Sequence, residues 1–367
     1  MMRKYIQNRI KNILGPRVGG KYLAFFVDDF GSIRVRDSIA KANLIKAGID
    51  PNNTYLNDTI ASEEDISAIF DVLMKFRDAS GNNVCFTPFV VVANPDFERI
   101  RESAFTEYFR EPFTKTFERY GKGYENLLAL WKEGMDAKIF SPAFHGTEHI
   151  NVKKWMKALQ MGHKSTMLGF DNQSVCIPAL PGEPGVPGLV KAYDIEKSDD
   201  IGFLLEGLRE GINIYEDKLG RSPRLFTPGA GTYSPMMEDG LLKLGIGFID
   251  TSRSARQPIG DGKYVKKFRF FGEKNTLGQH YVVRNCSFEP IKTGDAAISV
   301  CLDQIGAAFA MHKPAIISSH RLNYIGHFNP HARQENLNRL HVLIENILAK
   351  WPDVIFADGD RICDMIS

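Results

Sequence analysis

The sequence predicts an α/β protein built on a mainly parallel sheet, and its length favours closing that sheet into a barrel. Three observations carry this expectation. Short apolar, β-branched or aromatic runs alternate along 367 residues with longer segments of helical period, the rhythm of βα units rather than of hairpins. Apolar residues make up 43% and charged residues 25%, with a net charge of +2, which excludes disorder, collagen and a disulfide scaffold. Nowhere do about 18 apolar residues run together, so no membrane-spanning helix is expected. The five cysteines include no C-x-x-C pair, so neither a disulfide framework nor a thiolate zinc site is expected, and a reducing compartment fits them best.

Taken in order, residues 1–21 hold Arg3, Lys4, Arg9, Lys11, Arg17 and Lys21 and no acid, leaving 40 basic against 44 acidic residues in the rest. That body has no surplus positive charge with which to grip nucleic acid. Ile6, Ile10, Ile13 and Leu14 recur at helical spacing without the apolar core of a signal peptide, so a basic amphipathic extension is predicted that packs on the body, with weak contact to a membrane surface as the alternative. Strands are predicted at Tyr22–Val27, Val84–Val92, Lys138–Phe144, Arg224–Thr227, Ile246–Ile249, Tyr281–Cys286, Ala315–Ser319 and Val354–Ala357. Between them, helices are predicted at Glu63–Ala79, Tyr124–Met135, Val152–Met161, Phe203–Leu219, Pro235–Leu244, Ile298–His312 and Ala332–Lys350. The Pro/Gly-rich stretch 178–188 suits neither a helix nor a central strand. It reads as part of an insertion at about 165–200 within one domain, 22–367, because the segments on both sides are needed to complete the sheet.

Chemistry-bearing residues gather at the predicted strand ends. In F-V-D-D-F-G, an apolar run meets Asp28 and Asp29 and then a glycine turn; adjacent carboxylates repel unless a cation or proton sits beside them, though a solvated turn or helix cap would also use such a pair. In H-G-T-E-H, His145 and His149 stand four apart, a spacing that puts two imidazoles on one face of a helical turn. Glu148 is not placed as in the zincin motif, which needs its base directly after the first histidine. Asp29, His145 and His149 together offer three N/O ligands and an open position, the makeup of a catalytic rather than a structural zinc site. Asp28 is then the candidate base and His320, ending the apolar run P-A-I-I-S-S-H, the candidate acid. Thr227, Pro228 and Gly229 form a turn able to aim amides at a developing oxyanion. Tyr233, Trp155 and the insertion at about 165–200 are candidates to stack on a sugar, and Asp250 to orient the base or pair with Arg253 or Arg256.

In their order and placement these segments resemble the five motifs of the polysaccharide deacetylase family, the NodB-homology or carbohydrate esterase family 4 group, from about Tyr22 to Ile366. The resemblance implies a distorted (β/α)7 barrel, Asp28 as base, His320 as acid, and a divalent metal, zinc as a rule, on Asp29, His145 and His149. It implies removal of an N- or O-acetyl group from a sugar or glycan, and the lack of an export signal makes a cytoplasmic precursor of a surface polysaccharide the expected substrate. Two departures stand out. Phe226 and Thr227 occupy the place of an arginine that in the family orients the base, so Arg224, Arg253 or Arg256 is expected to substitute, and Gly146 replaces a Ser or Thr. A catalytically weakened or inactive sugar-binding barrel, or an amidohydrolase acting on a non-carbohydrate C–N bond, are the alternatives.

Overall fold

The computed structural model describes residues 7–367. Thirteen strands follow one another: β1 (Lys21–Phe30), β2 (Phe86–Val90), β3 (Ala93–Pro95), β4 (Arg110–Pro112), β5 (Ala143–Phe144), β6 (Leu225–Phe226), β7 (Phe248–Asp250), β8 (Ser254–Gly260), β9 (Lys263–Phe268), β10 (His280–Val282), β11 (Cys286–Ser287), β12 (Ala315–His320) and β13 (Val354–Phe356). Nine of them form one sheet in the order β10-β7-β6-β5-β2-β1-β12-β11, with β13 beside the start of β1. Every pairing in that sheet is parallel. The ends of this order are joined by the chain: residues 280–287 pair first with β7 and then with β12, separated only by residues 283–285. Counting that run as one stave, β1, β2, β5, β6, β7, β10–β11 and β12 make a distorted (β/α)7 barrel, as the sequence predicts.

Alternation along the staves divides the core in two. Leu23, Phe25, Val27, Phe86, Phe144, Phe226, Ile249, Tyr281 and Ile317 face outward and pack with the surrounding helices. Ala24, Phe26, Phe89, Ala143, Leu225, Phe248, Val282 and Ile316 turn the other way and pack together with Ile362 and Cys363 of the helix Gly359–Asp364. Since side chains of a strand alternate between faces, this second set fills the barrel. Each large apolar side chain so buried contributes roughly 1.5–3 kcal/mol.

Most predicted elements are present with shifted ends. The helix from Glu63 stops at Leu73, short of Ala79, because the Asp78 carboxylate collects the amides of Ser80 and Asn82 into a turn. The strand expected at Lys138–Phe144 shrinks to Ala143–Phe144. Helices at Ser38–Lys46, Phe97–Glu102, Phe113–Tyr120 and Lys164–Asp171 and the β8–β9 hairpin lie outside the expected elements. Lys164–Asp171 opens the segment expected as an insertion, and residues 172–199 then run without a helix or strand apart from a bridge between Tyr193 and Tyr233. Of the basic extension, residues 1–6 lie outside the described residues; the remainder packs on the body through Asn12 and Val18, through the carbonyls of Gly15 and Pro16, which accept from Lys313, and through a hydrogen bond between Asn12 and Asn285.

Candidate active site

The inward register of the barrel builds the site. Two residues beyond an inward apolar side chain comes a polar one: Asp28 after Phe26, His145 after Ala143, Thr227 after Leu225, Asp250 after Phe248 and Arg284 after Val282. On β12, Ile316 is followed in the same way by Ser318 and His320. All of these line one cavity of about 560 Å³ at the C-terminal ends of the strands, with Asp29, Arg34 and His149.

Asp29 breaks the alternation, which by itself would turn it away from Asp28. Its φ of 77° is left-handed, and the β1–β2 register shifts between Val27 and Phe30. This bulge re-aims the side chain into the mouth beside Asp28, the kind of backbone cost that a surrounding structure must hold in place. Asp29 Oδ1 lies 3.5 Å from His145 Nε2 and 3.2 Å from His149 Nε2. The histidines do not share a helical turn, as their spacing suggests; both precede the helix Val152–Gln160, in a loop that turns at Gly146 with φ 94°. A Cβ at Gly146 would overlap the Tyr193 hydroxyl, which accepts the Thr147 N–H at 3.0 Å. Tyr193 thus supplies a hydroxyl beside the ligands where the sequence, lacking Ser or Thr at 146, suggests that one is lost. Glu148 points elsewhere and pairs with Arg110 at 2.5 Å.

These three residues fit a divalent cation. Among the described residues they form the one group of histidine, cysteine or carboxylate ligands close enough to share an ion, with ligand atoms within 4.8 Å of one another. His145 Nδ1 donates to the Thr227 carbonyl at 2.8 Å, which leaves Nε2 as the lone-pair nitrogen. Burial, together with Arg34, holds the His149 pKa well below its ordinary value, so the ring is neutral. Burial alone would raise the Asp29 pKa, but its neighbours, with the Arg34 guanidinium the standing cation among them, bring it well below the ordinary value.

The guanidinium beside Asp28 comes from none of the three expected arginines. Arg284, at the junction of β10 and β11, donates from Nη1 and Nη2 to the two oxygens of Asp28, each at 2.7 Å, and from Nε to Asp250 Oδ2 at 2.8 Å. Its guanidinium lies over the inward rings of Phe89 and Phe26, at 4.9 and 5.4 Å. The expected candidates are engaged elsewhere: Arg224 pairs with Asp364, Arg253 donates to the carbonyls of Ile10 and Lys11, and Arg256 lies over Tyr264. Solved structures resemble this barrel. A protein assigned as a polysaccharide deacetylase in Pseudomonas aeruginosa aligns at TM-score 0.46 and 11% identity, covering 94% of this chain and 90% of its own. One assigned likewise in Mycobacterium smegmatis gives 0.44 and 13% over 96% and 93%, and a carbohydrate esterase family 4 pseudoenzyme from Bacillus anthracis gives 0.39 and 10% over 94% and 66%. No family model and no curated protein matches the chain. Similarities of this size carry no functional conclusion, which rests on the site itself.

Opposite Asp28, His320 presents Nε2 at 3.9 Å from Asp28 Oδ2, while Nδ1 donates to Glu289 at 2.5 Å. Burial would lower the His320 pKa, but the bond to Glu289 and the fields of Asp29 and Asp28 raise it to about 9. Glu289 also accepts from Asn323 at 2.7 Å. Thr227 donates to Asp250 at 2.9 Å, and burial raises the Asp250 pKa against the pull of Arg284. Pro228, Ala230 and Gly231 line the cavity, and Gly229 comes so close to His149 that a Cβ would stand 3.4 Å from its Cε1. Two expected sugar-stacking residues do not face the cavity. Tyr233 is fully buried with its hydroxyl on Glu238, and Trp155 packs edge-on against Phe97 in the core. Arg253 lines the cavity wall. Arg284, Glu289 and Tyr193 are the residues that the motifs do not announce.

Proposed function

We propose that the chain is a metal-dependent hydrolase that removes an acetyl group from the nitrogen or oxygen of a carbohydrate. The observation that carries this reading is the meeting, at one mouth, of a buried N/O ligand triad with an arginine-clamped carboxylate on one side and a protonated imidazole on the other. The motif order that resembles polysaccharide deacetylases supports it. A divalent cation, zinc by the chemistry of the donor set, would be held by Asp29, His145 and His149 and would supply Lewis acidity toward water and the acyl oxygen. Asp28, its oxygens fixed by Arg284, accepts the proton of the attacking water. His320 donates from Nε2 to the departing amine or alkoxide, with Nδ1 anchored on Glu289. The Pro228–Gly229–Ala230 turn closes the cavity beside His149 and is the place for amides that receive developing negative charge.

A non-catalytic sugar-binding barrel is the second reading, motivated by the arginine absent ahead of Pro228. Arg284 weakens that motive, because the base has its guanidinium from another stave. Metal analysis of the purified chain, combined with acetate release from N-acetylated nucleotide sugars, chitooligosaccharides and acetyl-xylan, tests the proposal. Bound metal with acetate release supports it. Bound metal without release on any of these, but with release from a non-carbohydrate amide, replaces the substrate class; no hydrolysis of either kind returns the chain to the binding reading.

A further inference from the structure

The basic extension and the β8–β9 hairpin share one face. Arg253 ties them together: its guanidinium donates to the carbonyls of Ile10 and Lys11, its own carbonyl accepts the Arg269 N–H at 2.8 Å, and the next residue, Ser254, pairs with Phe268. Gly15 packs against the Phe271 carbonyl and the Phe270 ring, and Pro16 against Gly272. On this face Ile10, Ile13 and Leu14 are 51, 56 and 54% exposed and Phe268 is 68% exposed. Exposed cations accompany them: Lys11 and Arg17 on the extension, and on the hairpin Arg256 and its cross-strand partner Lys266, which alternation places on the Phe268 side. Residues 7–21 contain no acid, and residues 252–270 contain six basic residues against Asp261 alone.

We infer that this face docks on the surface of an anionic lipid bilayer. A bilayer rewards both halves of the pattern at once, since apolar side chains enter the headgroup boundary while lysines and arginines meet anionic headgroups. A nucleic acid or acidic glycan would use the cations but leave three aliphatic side chains and a phenylalanine in water. Arg253 places the docking face beside the cavity, because it lines that wall as well. The inference stands apart from the hydrolase reading, as it uses none of the residues assigned to the reaction.

Cosedimentation of the full chain with vesicles of phosphatidylcholine, with and without phosphatidylglycerol, tests it. Binding is expected only to vesicles containing phosphatidylglycerol and is expected to weaken as salt rises. Ile13→Ser combined with Phe268→Ser, and separately Lys11→Glu combined with Lys266→Glu, should each lower vesicle affinity on the order of tenfold while leaving the melting temperature unchanged. Absence of binding to phosphatidylglycerol vesicles at low ionic strength overturns the inference. So does a serine variant that binds vesicles and heparin as the parent does, which would mark a surface for soluble polyanions.

Discussion

Arg284 and Asp28 stand 256 positions apart in the chain and meet through two parallel hydrogen bonds of 2.7 Å. Paired N–H groups in a fixed plane hold both carboxylate oxygens, which a lysine cannot do. Arg284→Lys is therefore expected to lower kcat by about 100-fold with little change in KM. Arg284→Met additionally strands the buried carboxylates of Asp28 and Asp250, at a cost of about 3–5 kcal/mol. Urea unfolding checks the second effect, and adding Asp250→Asn to the methionine variant should recover part of the stability without recovering turnover.

The ligand triad and the base should separate cleanly. Asp29→Ala, His145→Ala or His149→Ala each removes one of three ligands, so metal content after dialysis and acetate release should both fall to background. Asp28→Asn keeps the triad, and metal is expected to stay while turnover drops by about 1,000-fold or more. Elemental analysis of each variant beside its kinetics decides this; full activity of Asp28→Asn would remove the proposed base.

On the proposed mechanism Glu289 should set the alkaline limb, through its bond to His320. A histidine whose folded pKa is raised to about 9 carries its proton, and the stability linked to it, in full below the ordinary value near 6.5, and loses both as pH climbs through the raised value. Glu289→Gln takes away the bond that raises it most, so the alkaline limb of kcat/KM should move down by about one unit. A dication on the triad depresses the limb of parent and variant alike, and the difference between their pH–rate profiles is the readout. Superimposable limbs would leave Glu289 without this role.

Gly146 answers to Tyr193. Gly146→Ser meets both an unfavourable φ of 94° and the Tyr193 hydroxyl, and is expected to destabilise the fold by about 2 kcal/mol or more and to weaken metal binding. Combining it with Tyr193→Ala should relieve the overlap but not the backbone term. Thermal unfolding with and without added metal distinguishes the two contributions.

The barrel is legible in the sequence because β-branched and aromatic runs separated by amphipathic helices admit few other arrangements; Asp28, Asp29, His145 and His320 are legible because each closes such a run, and His149 because it stands four residues after His145. Glu289 ends R-N-C-S-F-E, where nothing local distinguishes it from a solvated loop residue. A signal for Arg284 does exist: in Tyr281–Cys286, alternation places Val282 and residue 284 on one face, so an inward valine implies an inward arginine. The convergence of the two histidines has the opposite character. Their spacing suggests a helix, yet a glycine turn and a tyrosine from a distant irregular segment bring the rings together, and no local pattern encodes that partner. Tyr233 and Trp155 show the converse: an aromatic residue near a motif is more often core than binding surface.

The run that closes the barrel also lies late in the chain. As the chain emerges from the ribosome, the ligand triad is complete in sequence by His149, whereas the clamp on the base arrives with Arg284 and the proton donor with His320. Between the two come the supports of the histidines themselves, Tyr193 and the Thr227 carbonyl. On the proposed mechanism the clamp on Asp28 needs the stave that joins β7 to β12, so the residues that seal the hydrophobic interior are also those that would complete the chemistry.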